Sequence, residues 1–188
     1  MQKGNGMKAT EVLKHEHQAI LLVIVAVEKE VAFIEKTGKL HTQTVRELAD
    51  FFKNFVDRCH HAKEEKQLFA MLHERGISTE VGPLDVILHE HEQGRAYVLA
   101  VAEAVAGKIV PDAAAIRKAK ENLAAYAQLL RVHIDKEENV LYPMADRLLK
   151  SAADQKTLLQ AFDKVESEEM GQGVHEKYHA WIEKLAGK

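Results

Sequence analysis

Apolar residues recur with a period near 3.6 in four long segments, separated by short stretches that carry Gly, Pro or Thr. This pattern predicts four long helices. The first spans about Ala9 to Lys36 and ends at Thr37-Gly38, where glycine can take the left-handed conformation that closes a helix. Thr44, with Glu47 three residues on, reads as the capping box of the second, which runs to about Arg75 and stops at Gly76. Gly82-Pro83 restarts the chain, because proline in a first turn loses an N–H that had no partner anyway. The third helix ends near Ala106-Gly107. Asp112 caps a fourth that lasts to about Lys150, with a kink expected at Pro143. Short loops between long helices make consecutive helices antiparallel neighbours. The expected fold is therefore all-α, an up-down-up-down four-helix bundle over residues 1–150. Residues 151–188 should add one or two shorter helices, divided at Gly171-Gln172-Gly173 and packed across it.

The second half of this pattern repeats the first. Residues His60 to Phe69 align without gaps on His133 to Tyr142, and His15-Glu16-His17 aligns on His89-Glu90-His91. A helical hairpin has in effect been duplicated, so matching side chains from each half should meet near a twofold axis. Residues four apart share a helix face, which lets His60 with Glu64, and His133 with Glu137, each present an imidazole and a carboxylate to one point. Periodicity selects the remaining histidines. His17 follows Leu13 and precedes Ile20, Leu21 and Ile24, and His91 shares a face with Ile87, Leu88 and Val98. His15 and His89 have charged or polar neighbours and point elsewhere. His60, on a line with Phe52 and Val56, is favoured over His61, whose partner four residues back is Asp57. Four imidazoles and two carboxylates directed inward would be expensive to bury unpaired, and this nitrogen and oxygen donor set suits iron, manganese or zinc.

These residues carry a family likeness. His-Glu-His-Gln near the start, His-His-x-x-Glu-Glu-x-x-Leu-Phe at 60–69, His-Glu-x-Gly-Arg at 91–95 and His-x-x-x-Glu-Glu-x-x-Leu-Tyr-Pro at 133–143 resemble the hemerythrin family, in particular its HHE cation-binding branch. The likeness covers about residues 9–150. It implies a carboxylate-bridged pair of irons held by His17, His60, Glu64, His91, His133 and Glu137. It also implies binding of, or reaction with, dioxygen, peroxide or nitric oxide, for sensing, carriage or detoxification. One departure bears on that function. Oxygen-carrying hemerythrins use two histidines one turn apart on the third helix, whereas here Arg95 and Ile87 flank His91 at that spacing. The centre is one histidine short by this reading, leaving open positions that His61, Tyr97, Tyr126 or Tyr142 could fill. Glu65 and Glu138 read as groups that orient ligands, and Arg95 as a partner for one of them.

Composition narrows the alternatives. A formal charge of -3 with Lys and Arg scattered among Asp and Glu argues against a nucleic-acid footprint. The longest apolar run, Ala19 to Val27, is shorter than the roughly 20 residues a membrane-spanning helix needs. Cys59 has no second cysteine to pair with and reads as a small core residue, which fits a reducing cytoplasm. Two other functions compete: iron storage without turnover at the same residues, and a zinc peptidase built on a separate segment, His175-Glu176-Lys177-Tyr178-His179, which matches H-E-x-x-H. That motif is cheap in a chain rich in His and Glu. A surface helix anchored by Val174, Tyr178, Trp181, Ile182 and Leu185 is the simpler reading of the segment.

Overall fold

The computed structural model describes residues 7–170, 177–178 and 180–182, and every regular element among them is helical. α1 (Ala9–Thr37) closes on Gly38, whose φ of 66° is left-handed and whose N–H donates to the Ile34 carbonyl. α2 (Thr42–Phe51) passes without a break into π-helix over Phe52–His61 and again over Glu64–Leu68, then into α3 (Phe69–Glu74). α4 (Pro83–Val105) begins on its proline. α5 (Ala113–Lys136) is capped by Asp112, which accepts from the Ala115 N–H at 2.8 Å. It continues through a π turn over Glu137–Leu141 into α6 (Tyr142–Leu148). α7 (Ala152–Val165) and a last π turn, Glu166–Met170, follow.

One local expectation needs correction. The second rod begins at Thr42, not at Thr44, and no side chain caps it. His41 is tied back to α1 instead: its backbone N–H donates to the buried Glu30 carboxylate at 2.7 Å, and its Nδ1 lies 2.8 Å from the other oxygen. That tether sets where the chain turns, and Glu47 is left to accept from Gln43. The fourth rod stays helical through Pro143. The irregularity there is the π turn before it, and Glu64–Leu68, the aligned segment of the first half, has the same turn with no proline nearby. Proline is not its cause.

α4 packs along α5, α1 against α5, and α2 against α4. The last pair runs in opposite directions, since Arg46 bonds to Val105 at one end while Asp57 meets Arg95 toward the other. The buried apolar residues form two clusters. One gathers Ile20, Val23, Phe52, Val56, Val101 and Leu130; the other gathers Leu13, Leu68, Leu72, Ile87, Leu141 and Phe162, the last from α7. Between them lies a polar layer. No described helix is long and apolar enough to cross a membrane.

Candidate metal centre

The polar layer is built by the same periodicity that builds the core. His17 stands between Leu13 of one apolar cluster and Ile20 of the other, and His60 with Glu64 stands between Val56 and Leu68. His91 follows Ile87, and His133 with Glu137 separates Leu130 from Leu141. All six predicted residues are at most 2% exposed. They converge from four rods.

The two halves meet in matching geometry. His17 Nε2 faces His60 Nε2 at 3.1 Å, and His91 Nε2 faces His133 Nε2 at 3.1 Å. The outer nitrogen of each ring is taken by a carboxylate: His17 by Glu138 at 2.9 Å, His60 by Glu16 at 2.9 Å, His91 by Glu65 at 2.6 Å and His133 by Glu90 at 3.0 Å. Each carboxylate accepts a hydrogen bond from Nδ1–H, which fixes the tautomer that leaves Nε2 as a bare lone pair. The holders are themselves held. Glu16 binds Lys63 and Glu90 binds Lys136, each through a short ion pair, while Arg95 donates to Glu65 at 2.6 Å and to Asp57 at 2.7 Å.

The carboxylates connect the halves. Glu137 Oε2 lies 3.1 Å from His17 Nε2, and its Oε1 lies 3.1 Å from His133 Nε2. Glu64 Oε2 stands 3.7 Å from His60 Nε2 and 3.5 Å from His91 Nε2. Two sets of donors result, each with atoms within 4.8 Å of one another: His17, His60, Glu64 and Glu137, and beside it His61, Glu64, His91 and His133.

This arrangement fits cations. Two bare imidazole nitrogens pointed at each other repel unless something positive lies between them, and the same geometry occurs twice. Glu64 Oε2, both Glu137 oxygens and both His61 nitrogens are buried with no hydrogen-bond partner among the described residues. An unsatisfied buried polar group costs about 1–3 kcal/mol, and more when charged, so five such atoms in one spot imply a ligand that satisfies them together. Electrostatics tell the same story. Burial pushes the His60 imidazole down to about 4, so it stays neutral. Burial and the neighbouring Glu137 charge push Glu64 well above the usual carboxylate range, whereas His133 outweighs burial and holds Glu137 well below it. Burial alone would lower His133, but the Glu137 carboxylate raises it to about 9. Without a cation, protons must do the neutralising.

His61, one of the residues that could fill an open position, lies inside beside His60. Its ring is 2% exposed and stacks on His91 with centroids 3.7 Å apart, inside the second donor set. His60 and His61 are buried as an adjacent pair, as their aligned partners His133 and Ile134 are in α5, so the burial of one does not exclude the other. The partner aligned with His61 in the other half is Ile134, so here the twofold is broken. Tyr142 breaks it again, opposite Phe69: its hydroxyl donates to Glu64 Oε1 at 2.6 Å and lies 3.2 Å from His17 Nε2. Glu16, Glu90 and buried Lys63 were not anticipated, although the repeated His-Glu-His triplet carried the first two. His15 and His89 are exposed; the Tyr97 hydroxyl accepts from Gln93 at 3.0 Å, and Tyr126 packs edge to face on Phe52. Cys59 is buried, and burial pushes its thiol up to about 12, which suits a core residue. His175, Glu176 and His179 of the peptidase motif lie outside the described residues.

An all-helical chain with buried, carboxylate-braced histidines from four rods is a cation-binding helical protein. The chain belongs to the hemerythrin family: the family model described as the hemerythrin HHE cation binding domain matches residues 8–145. It is also similar to uncharacterized proteins of Mycobacterium tuberculosis and Mycobacterium bovis, 23% identical over 164 residues, which covers 87% of this chain. The chain spans 63% of the length of those relatives. No solved structure matches it.

Proposed function

We propose that the chain holds two iron ions side by side and uses them to bind or react with dioxygen, peroxide or nitric oxide, within a reducing cytoplasm. In this reading the four rods run up-down-up-down over residues 1–150, and residues 151–188 form a helical extension packed on them. His17, His60, Glu64 and Glu137 hold one ion. His91, His133 and Glu64, with His61 added to the six residues predicted from spacing, hold the other. The ions would supply open coordination positions and one-electron redox change.

The chain's own residues do the rest. Glu138, Glu16, Glu65 and Glu90 fix the tautomer and direction of each imidazole, and Glu64 and Glu137 span both positions. Tyr142 keeps a proton at Glu64 Oε1, poised beside His17. The two apolar clusters exclude bulk water. The observation that carries the reading is the pair of Nε2–Nε2 approaches at 3.1 Å, each between rings whose outer nitrogens are already occupied.

Metal analysis and absorption spectra of anaerobically purified protein, before and after exposure to oxygen and to peroxide, test it. Two irons per chain with an oxygen-dependent spectrum are expected. Glu137→Ala should lose at least one ion, and His175→Ala should change nothing. One zinc per chain in a colourless protein indifferent to oxygen would defeat the proposal.

A further inference from the structure

A cavity of about 430 Å³ opens beside the centre, between the second rod and α4. A water molecule takes about 30 Å³ of liquid, so this space is far larger than a diatomic ligand needs and falls within the usual range for organic ligands. It is also long. Its lining runs from Arg46 to His61 along one rod, roughly 20 Å of helix, so the volume is that of a narrow slot.

The walls of the slot are largely apolar, interrupted near His61 by the Asp57–Arg95 ion pair, and its two ends differ. Phe52, Val98, Ala102 and Tyr126 line the middle. Phe52 and Tyr126 meet edge to face at 4.9 Å, and Tyr126 can sit there only because residue 94 is glycine: a Cβ at Gly94 would come within 2.8 Å of Tyr126 Cε2. At the inner end is His61, both of whose nitrogens lack partners and whose ring stacks on His91. Arg46 stands at the outer end, and Lys53 lies two turns further along the same rod, beside Phe52. Arg46 donates to the carbonyls of Val105 at 3.0 Å and Lys108 at 2.6 Å, which fixes the guanidinium without neutralising it. Against these two cations stands Asp50, which accepts from Asn54 and Tyr178, while the other lining carboxylate, Asp57, is paired with Arg95 at 2.7 Å, so the lining keeps one positive charge in excess.

We propose that the slot binds a medium-chain amphipathic monocarboxylate. Its alkyl chain lies between Phe52, Val98, Ala102 and Tyr126, its carboxylate sits at Arg46 with Lys53 further along the rod, and its far end reaches His61. The contact at His61 gives the metal centre an organic ligand next to it. That last step rests on the metal reading; occupation of the slot does not.

Titration calorimetry with decanoate and with decanol, on the full chain stripped of metal and again after loading with cobalt(II), tests this. Decanoate should bind the metal-free chain at one per chain. Arg46→Gln combined with Lys53→Gln should weaken decanoate by about tenfold and leave decanol unchanged. Ala102→Trp, which fills the slot, should abolish binding without lowering the melting temperature, and Val98→Phe serves the same purpose if that variant does not fold. In the cobalt form, decanoate should shift the visible absorption, and His61→Leu should remove that response while decanoate still binds. Absence of saturable binding to the metal-free chain, or equal binding of decanol with no effect of the charge variants, overturns the proposal. Binding that leaves the cobalt spectrum unmoved overturns the reach to His61. Failure to take up cobalt would count against the metal centre alone, and the metal-free titration would still decide the slot.

Discussion

His61 and the carboxylates behind the histidines set the behaviour of the centre residue by residue. An imidazole buried without partners destabilises the metal-free fold, yet it is an asset once a cation arrives. His61→Leu should therefore stabilise the metal-free protein by about 1 kcal/mol and weaken metal binding by about 10-fold or more. Denaturant melts with and without chelator check both signs; a change of the same sign in both would mean that His61 only packs. The carboxylates make a second pair of predictions. Glu16→Gln and Glu90→Gln should each lower metal affinity by about 10- to 100-fold in a chelator competition, by loosening His60 and His133. They should differ in stability. Glu16 is 3% exposed and its partner Lys63 is fully buried, whereas Lys136 beside Glu90 is 38% exposed. Removing the charge from Glu16 leaves a lysine in the interior with less to pair with, so Glu16→Gln should cost about 2 kcal/mol more. The six converging residues were legible in the sequence because apolar neighbours at helical spacing turned them inward. Glu16 and Glu90 were not, since a residue beside an inward one reads as a flank until the facing rod shows its histidine.

At the scale of elements, the π-helical stretches explain both what spacing revealed and what it hid. A period of 3.6 finds a helix over residues 42–74, but it cannot report that part of it is wound wider, and the phase drifts through that part. His17 on α1 and His91 on α4 lie in straight α-helical segments and face inward as spacing expects, and in the π-helical part both His60 and His61 face inward. Two π turns begin on Glu64 and Glu137, the carboxylates that span the centre, at aligned positions of the two halves. The turn therefore belongs to the site. Pro143→Ala should leave metal stoichiometry and affinity unchanged and shift stability by less than about 1 kcal/mol, because the proline-free half makes the same turn. Gly94→Ala should behave oppositely. A single methyl aimed at the Tyr126 ring from 2.8 Å forces two packed helices apart and should cost about 1–3 kcal/mol by thermal melting.

In the molecule as a whole, the polar layer divides the interior into two apolar halves that touch through the centre. Metal binding and folding are consequently one equilibrium. A ligand present at 1,000 times its dissociation constant stabilises the fold by about 4 kcal/mol, so stripping the metal should lower the melting temperature by several degrees. The loss should not fall evenly on the two ion positions. Glu166, in the π turn after α7, accepts from Lys63 Nζ at 2.7 Å, and Lys63 leads through Glu16 to His60. The equivalent chain in the other half stops at Lys136, which among the described residues pairs with Glu90. The C-terminal element thus braces one ion position and not its mate. Glu166→Ala should weaken the ion held by His17 and His60 while sparing the one beside His91 and His133. Stepwise cobalt titration followed by absorption would resolve the two sites. Equal weakening of both would mean that α7 supports the fold in general and has no particular connection to His60.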